Sequence, residues 1–110
     1  MSYPLRSSEQ RQEYRVGTDL PATISVGSQL TIQGRLKDLS LKSAFIIIKS
    51  SVYLQLHEEV GFAIMSSPND VKPAIFGTAR ISRLVPGEGL AIYFTSMSDA
   101  CEARLKSMTQ

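Results

Sequence analysis

Tryptophan is absent from this 110-residue chain, cysteine and histidine occur once each, and aromatic residues make up only 7% of the composition. A single cysteine, Cys101, excludes an internal disulfide and fits a reducing compartment. The lone His57 stands beside Glu58 and Glu59, but a zinc-binding His-Glu-x-x-His helix needs a second histidine where Gly61 stands. His57 therefore reads as a surface-loop residue. The longest wholly apolar run, Ala44 to Ile48, falls far short of the ~20 residues that a membrane helix requires. The polar start, Met1 to Arg15, has no apolar signal core. A soluble cytoplasmic protein without membrane insertion is expected. Charge of one sign is scarce as well: a formal net charge of +2 is too small for a protein that grips duplex DNA through many phosphates. Single-strand binding wants aromatic platforms beside cations, and only Tyr14, near Arg11 and Arg15, fits that pattern.

What remains is an ordinary globular composition, 43% hydrophobic and 20% charged, at the usual size of one domain with one core. Leu20 to Val26 alternates, with Ala22, Ile24 and Val26 on one face. Gly27-Ser28 gives a turn, and the next segment buries Leu30, Ile32 and Leu36 while Thr31, Gln33, Arg35 and Lys37 face water, which predicts a hairpin. Ala44 to Ile48, continuous and β-branched, reads as a strand covered on both faces. Val60, Phe62 and Ile64 alternate in another strand, closed by the turn residues Ser67 to Asp70. A longer strand runs from about Ala74 to Leu84, reverses at Pro86-Gly87-Glu88-Gly89, and returns over Leu90 to Thr95. At the end the period changes. Ser98 is placed as an N-cap, Asp99 complements the helix dipole, and Cys101, Leu105 and Met108 recur at helical spacing. Six strands with short connections and one terminal helix predict an all-β fold, a small antiparallel barrel covered in part by a C-terminal α-helix.

Two motifs carry chemistry. Arg11 and Arg15, one helical turn apart in Arg-Gln-Glu-Tyr-Arg, offer planar cations that bind phosphate bidentately and stack on base faces. Asp38-Leu39-Ser40-Leu41-Lys42-Ser43 offers a carboxylate beside hydroxyls, and a carboxylate accepts from the N1–H and 2-amino edge that guanine presents. Taken singly, the arginines read as a solvated charged segment, and Asp38 and Ser40 as turn-capping residues. Strict alternation from Leu36 points Asp38 inward, so the barrel rim, a bulge or the strand end must turn it toward a ligand. Gly87-Glu88-Gly89 begins a dinucleotide fingerprint, but Ile92 stands where its third glycine belongs, so it reads as a turn. Cys101, on the helix's apolar face, reads as a core thiol. No acid/base or nucleophile constellation is found, so an enzyme is not expected.

The two motifs resemble those of the PilZ family, bacterial receptors for the second messenger cyclic di-GMP, whose signature is R-x-x-x-R followed by [D/N]-x-S-x-x-G. Arg11 and Arg15 match the first half, and Asp38 and Ser40 the second. Ser43 replaces the family's glycine. Ser43-Ala44-Phe45-Ile46 is similar to the strand that follows the motif, and Gly89 to Phe94 to the last strand. The resemblance implies a PilZ-like barrel over residues 16–110 and a flexible N-terminal arm over residues 1–15. It implies cyclic di-GMP as the ligand, with no other cofactor and no metal, held by Arg11, Arg15, Asp38, Ser40 and Ser43. A second intercalated nucleotide would draw on further cations, for which Arg6 and Arg80 are candidates. With the arm ordered over the ligand, the signal would pass to a downstream protein of the motility, adhesion or exopolysaccharide machinery. The alternative is a degenerate PilZ-like adaptor that binds no nucleotide and acts by protein–protein contact. These readings part at Ser43: where positive φ is required, serine costs roughly 1 kcal/mol or more relative to glycine, whereas if only space matters serine fits and its hydroxyl can bond to the ligand.

Overall fold

Strands with one face turned to a shared interior account for nearly every element of this chain. The computed structural model describes residues 16–17, 19–28, 30–49, 54–67, 69 and 72–109. In chain order the elements are β1 (Val16–Gly17), β2 (Pro21–Val26), β3 (Leu30–Leu39), β4 (Ser43–Ile47), β5 (Glu59–Ile64), β6 (Ile75–Val85), β7 (Gly89–Met97) and α1 (Asp99–Thr109). The expected arm, with Arg11 and Arg15, lies outside the described residues. So does much of the turn expected at Ser67 to Asp70.

Six strands close an antiparallel barrel in the order β3-β2-β5-β6-β7-β4, and β4 pairs back onto β3. Closure leaves no long open edge and lets each strand turn alternate residues inward. Ile24, Leu36, Ile46, Ile64, Ile81, Leu90 and Ile92, all at 0% exposure, form the centre of the core. Phe62 and Phe94 add a tilted ring pair with centroids 4.8 Å apart, a geometry that aromatic quadrupoles favour. The short β1 is not part of the six; it pairs with the end of β3.

The turns follow their residues. Gly27 and Gly87 take positive φ, 64° and 79°, which glycine adopts without steric cost. At Gly87 the turn is closed by the Glu88 N–H donating to the Val85 carbonyl at 3.0 Å. Gly89 serves closeness instead: a Cβ there would stand 2.2 Å from the Ile46 carbonyl oxygen, so no side chain fits where β7 meets β4.

The hairpin of β2 and β3 forms as expected, but Leu30 is 38% exposed rather than buried. The reason is local. Among the described residues β3 meets β4 only from Arg35 onward, so Leu30, beside the turn, has a strand on one side alone.

The helix begins at its cap. The Ser98 hydroxyl accepts from the Cys101 N–H at 3.2 Å and the Ser98 carbonyl from the Glu102 N–H at 2.9 Å. Cys101 and Leu105 are buried in the barrel's core cluster and Met108 packs against it, while Arg104 donates to the Ala74 carbonyl at 3.2 Å. That contact joins the exposed side of the helix to the approach to β6.

Candidate functional site

A bulge turns Asp38 outward. Across β3 and β4, Leu36 opposes Ile46 and Asp38 opposes Phe45, leaving Lys37 as the extra residue. An extra residue breaks the period of two. Leu36 and Leu39 are both buried, Lys37 is exposed and Asp38 is half-buried on the outer face. Of the possibilities that alternation left open for Asp38, the bulge is the one the chain uses.

Ser40 has a different position. It is fully buried, and its hydroxyl is engaged within its own turn: it accepts from the Ser43 N–H at 3.2 Å and from the Lys42 N–H at 3.4 Å. It lies 3.1 Å from the Ser43 hydroxyl, and the Ser40 N–H donates to the Ser43 carbonyl at 2.9 Å. Serine in this role substitutes for a missing strand partner. Ser40 therefore shapes the turn that joins β3 to β4 and does not line the surface above it.

Ser43 opens β4 in extended backbone. Among the described residues, the only non-glycine with positive φ is His57, at 69°. Of the two conditions considered for serine at position 43, the left-handed one is not met: the residue begins a strand and pairs with Tyr93 in extended backbone.

Asp38 and Ser43 line one depression of roughly 300 Å³ together with Ala44, Phe45, Ser82, Arg83 and Ala91. Phe45 is its apolar floor. Ala44 and Ile46 point into the core, so Phe45 points out, yet it is only 7% exposed because Lys37 and Arg83 cover its ring. The Lys37 ammonium lies 5.5 Å and the Arg83 guanidinium carbon 5.9 Å from the ring centroid, within cation–π range. The both-faces-covered reading of this strand thus holds, with cationic side chains rather than a second layer as the outer cover.

The depression adjoins the start of the described chain. Val16 pairs with Leu39 and Gly17 with Asp38, and Arg15 precedes Val16 by one peptide bond. Arg11 and Arg15 themselves lie outside the described residues.

A larger and more apolar groove, of roughly 580 Å³, runs along Pro21, Ile32, Gly34, Ile47 and Ile48, with Asp19 and Arg35 at its edge. It contains no residue of either motif. Arg35 forks onto both carboxylate oxygens of Asp19, its Nε donating to Oδ1 at 2.7 Å. That hydrogen bond holds the Asp19 carboxyl below its usual range and raises the guanidinium further. Both groups are exposed to water, so the pair contributes little to stability.

The remaining sequence candidates take structural positions. His57 is exposed in a turn where Glu58 N–H donates to the Gln55 carbonyl at 3.1 Å. Arg80, considered above for a second nucleotide, donates to the His57 carbonyl at 3.1 Å, and it is Arg83 that reaches the depression. Arg6 lies outside the described residues. Among the described residues no group of His, Cys, Asp or Glu is arranged to hold a metal ion, and no helix is long and apolar enough to cross a membrane.

Phe45, Ser82 and Arg83 escaped the sequence reading. Their signal was faint: Ser82-Arg83 places two polar residues between inward Ile81 and Leu84, where alternation allows one.

The family model for the PilZ domain matches residues 9–110. The chain belongs to the PilZ family. No curated protein sequence matches it significantly. Among solved structures it is similar to the inhibitor of motility MotI/DgrA of Bacillus subtilis, with a TM-score of 0.74 and 13% identity over 92% of this chain. It spans about half, 49%, of that protein's length. It is also similar to the PilZ domain of YcgR from Escherichia coli, solved with cyclic di-GMP, with a TM-score of 0.70, 16% identity, and coverage of 92% of this chain and 89% of that one. The PilZ domain of CeSA from a cellulose-synthesizing bacterium gives a TM-score of 0.64 and 18% identity over 86% of this chain and 93% of its own. At such identities the likeness is one of fold, and the barrel with its terminal helix is the PilZ fold.

Proposed function

We propose that this PilZ domain is a receptor for cyclic di-GMP that relays the second-messenger signal to a partner protein by ordering its N-terminal residues over the barrel. The observation that carries the reading is the pairing of Val16 with Leu39 and Gly17 with Asp38. It ties the backbone immediately after Arg15 to the Asp38-Leu39-Ser40 segment, which supports a single site shared by the two halves of the family signature.

In this reading Arg11 and Arg15 supply planar cations to the phosphates and to the faces of guanine. Asp38, turned outward by its bulge, accepts from guanine N1–H and the 2-amino group. Ser43 stands at the rim of the same depression, and Ser40 holds the turn that presents both. A phosphate between two arginines relieves the repulsion that they exert on each other without it. Binding and ordering of the N-terminal residues are then two aspects of one equilibrium, and the newly formed surface is what a partner recognises. By family, that partner belongs to the motility, adhesion or exopolysaccharide machinery, and the setting is the cytoplasm. The domain acts by binding and not by catalysis.

The alternative adaptor without nucleotide drew its support from Ser43 as a defect in the pocket. Extended backbone at that position takes backbone strain out of that reading, and the space that its side chain occupies beside a ligand is left to the titration. Isothermal titration with cyclic di-GMP tests the reading: saturable binding by the wild type and its loss in the Arg11→Ala/Arg15→Ala double variant are expected. A wild type that gives no heat at millimolar ligand would overturn it.

A further inference from the structure

The register of the barrel draws one row across four strands. Asp38 on β3 opposes Phe45 on β4, Phe45 opposes Ala91 on β7, and Ala91 opposes Arg83 on β6. Neighbouring strands lie about 4.8 Å apart, so the row spans on the order of 14 Å of backbone. A carboxylate stands at one end and a guanidinium at the other, with an apolar floor of Phe45 and Ala91 between them.

Both ends of the row are bulges. On β3 the extra residue is Lys37, beside Asp38; on β6 it is Ser82, beside Arg83, because Ile81 opposes Ile92 while Arg83 opposes Ala91. Bulges re-aim side chains, and they concentrate beside functional sites. Here two of them, distant in sequence, aim an acid and a base into the same depression. Arg83 then reaches inward across Ala91, whose small side chain leaves room, until its guanidinium lies 5.9 Å from the centre of the Phe45 ring. A planar cation held on an aromatic floor is already ordered before a ligand arrives. Lys37 flanks the same ring but does not line the depression, and its ammonium lies 3.9 Å from the Glu88 carboxylate.

We infer that Arg83 is a guanine-reading residue of this site: one base of cyclic di-GMP enters the depression between the two ends of the row, its N1–H and 2-amino edge against Asp38 and its O6 and N7 against the Arg83 fork. Guanine is the base whose one edge donates to a carboxylate and whose other edge accepts from a guanidinium, and arginine to O6 and N7 is its commonest specific contact. Adenine would set its 6-amino donor against the arginine and lacks the donor pair that Asp38 requires. The inference rests on the receptor reading above and adds to it a residue from the far end of the same row.

Titration of wild type, Arg83→Ala and Arg83→Lys with cyclic di-GMP and with its 7-deazaguanine analogue tests it. Arg83→Ala should bind cyclic di-GMP on the order of tenfold to a hundredfold more weakly, the range for a bidentate arginine–guanine pair. Arg83→Lys should recover only part of that loss, because an ammonium is not a planar fork. The analogue, which lacks N7, should bind wild type more weakly, and the Arg83→Ala penalty should shrink with it. Arg83 is exposed but lies on the Phe45 ring, so the melting temperatures of the ligand-free variants should fall only slightly, and they serve as the folding control. Equal affinity of wild type and Arg83→Ala overturns this inference while leaving the receptor reading intact. An equal penalty for both ligands also overturns it, since Arg83 would then act through charge alone. Absence of wild-type binding overturns both.

Discussion

Gly17 lies opposite Asp38 in the short pairing of β1 with β3. The chain that leaves Arg15 therefore runs antiparallel to the chain that carries Asp38, Leu39 and Ser40. The residues that follow the arginine motif and the segment that carries Asp38 thus share one ladder. From this relationship, Arg11→Ala and Arg15→Ala are each expected to weaken cyclic di-GMP binding by roughly 1.5–3 kcal/mol, the range for hydrogen bonds to charged groups. Calorimetric titration of each variant measures it. The melting temperature without ligand should barely move, and affinities equal to wild type in both variants would remove these arginines from the site.

Ser40→Ala should act on the fold first. The hydroxyl is buried and accepts from the Lys42 and Ser43 N–H groups, so its loss strips the turn of a partner at a cost of about 1–3 kcal/mol. Thermal denaturation in the absence of ligand should show a lower midpoint, in contrast with the arginine variants. An unchanged midpoint would mean that the turn is held by the Ser40 N–H to Ser43 carbonyl bond alone.

Ser43→Gly offers no strain to release, because the residue is extended and paired with Tyr93. The substitution removes a hydroxyl and adds freedom to the unfolded chain, which costs roughly 0.5–1 kcal/mol within a strand. Melting should fall slightly and affinity for cyclic di-GMP should not improve. A tenfold gain in affinity would show that the bound state demands a conformation that this one lacks.

His57→Gly should do the reverse. With φ at 69°, histidine occupies the left-handed region at a cost that glycine avoids, partly offset by glycine's greater freedom when unfolded. A gain of about 0.5–1 kcal/mol is expected, read as a rise in the denaturant midpoint with an unchanged slope. The carbonyl that accepts from Arg80 is retained in the variant.

The sequence by itself determined the class of the fold, the family and the faces of most elements, because these depend on patterns that a chain carries locally. Alternation at Ala22 and Ile24, or at Val60, Phe62 and Ile64, marks an inward face whatever the neighbours, and Ser98 caps the helix by bonding to its own first turn. The spacing of Arg11, Arg15, Asp38 and Ser40 was likewise visible along the chain. What only the tertiary structure decided is which residues face one another. Bulges at Lys37 and Ser82 are properties of paired strands, not of either strand alone, since an extra residue is extra only relative to a partner. They turn Asp38 outward and bring Arg83, far away in sequence, onto the ring of Phe45. The conformation of Ser43 belongs to the same class: whether a serine in glycine's place must take positive φ is decided only by its pairing with Tyr93, which puts it in an ordinary strand. Cross-strand hydrogen bonding sets register, and register, unlike period, has no local signature in the chain.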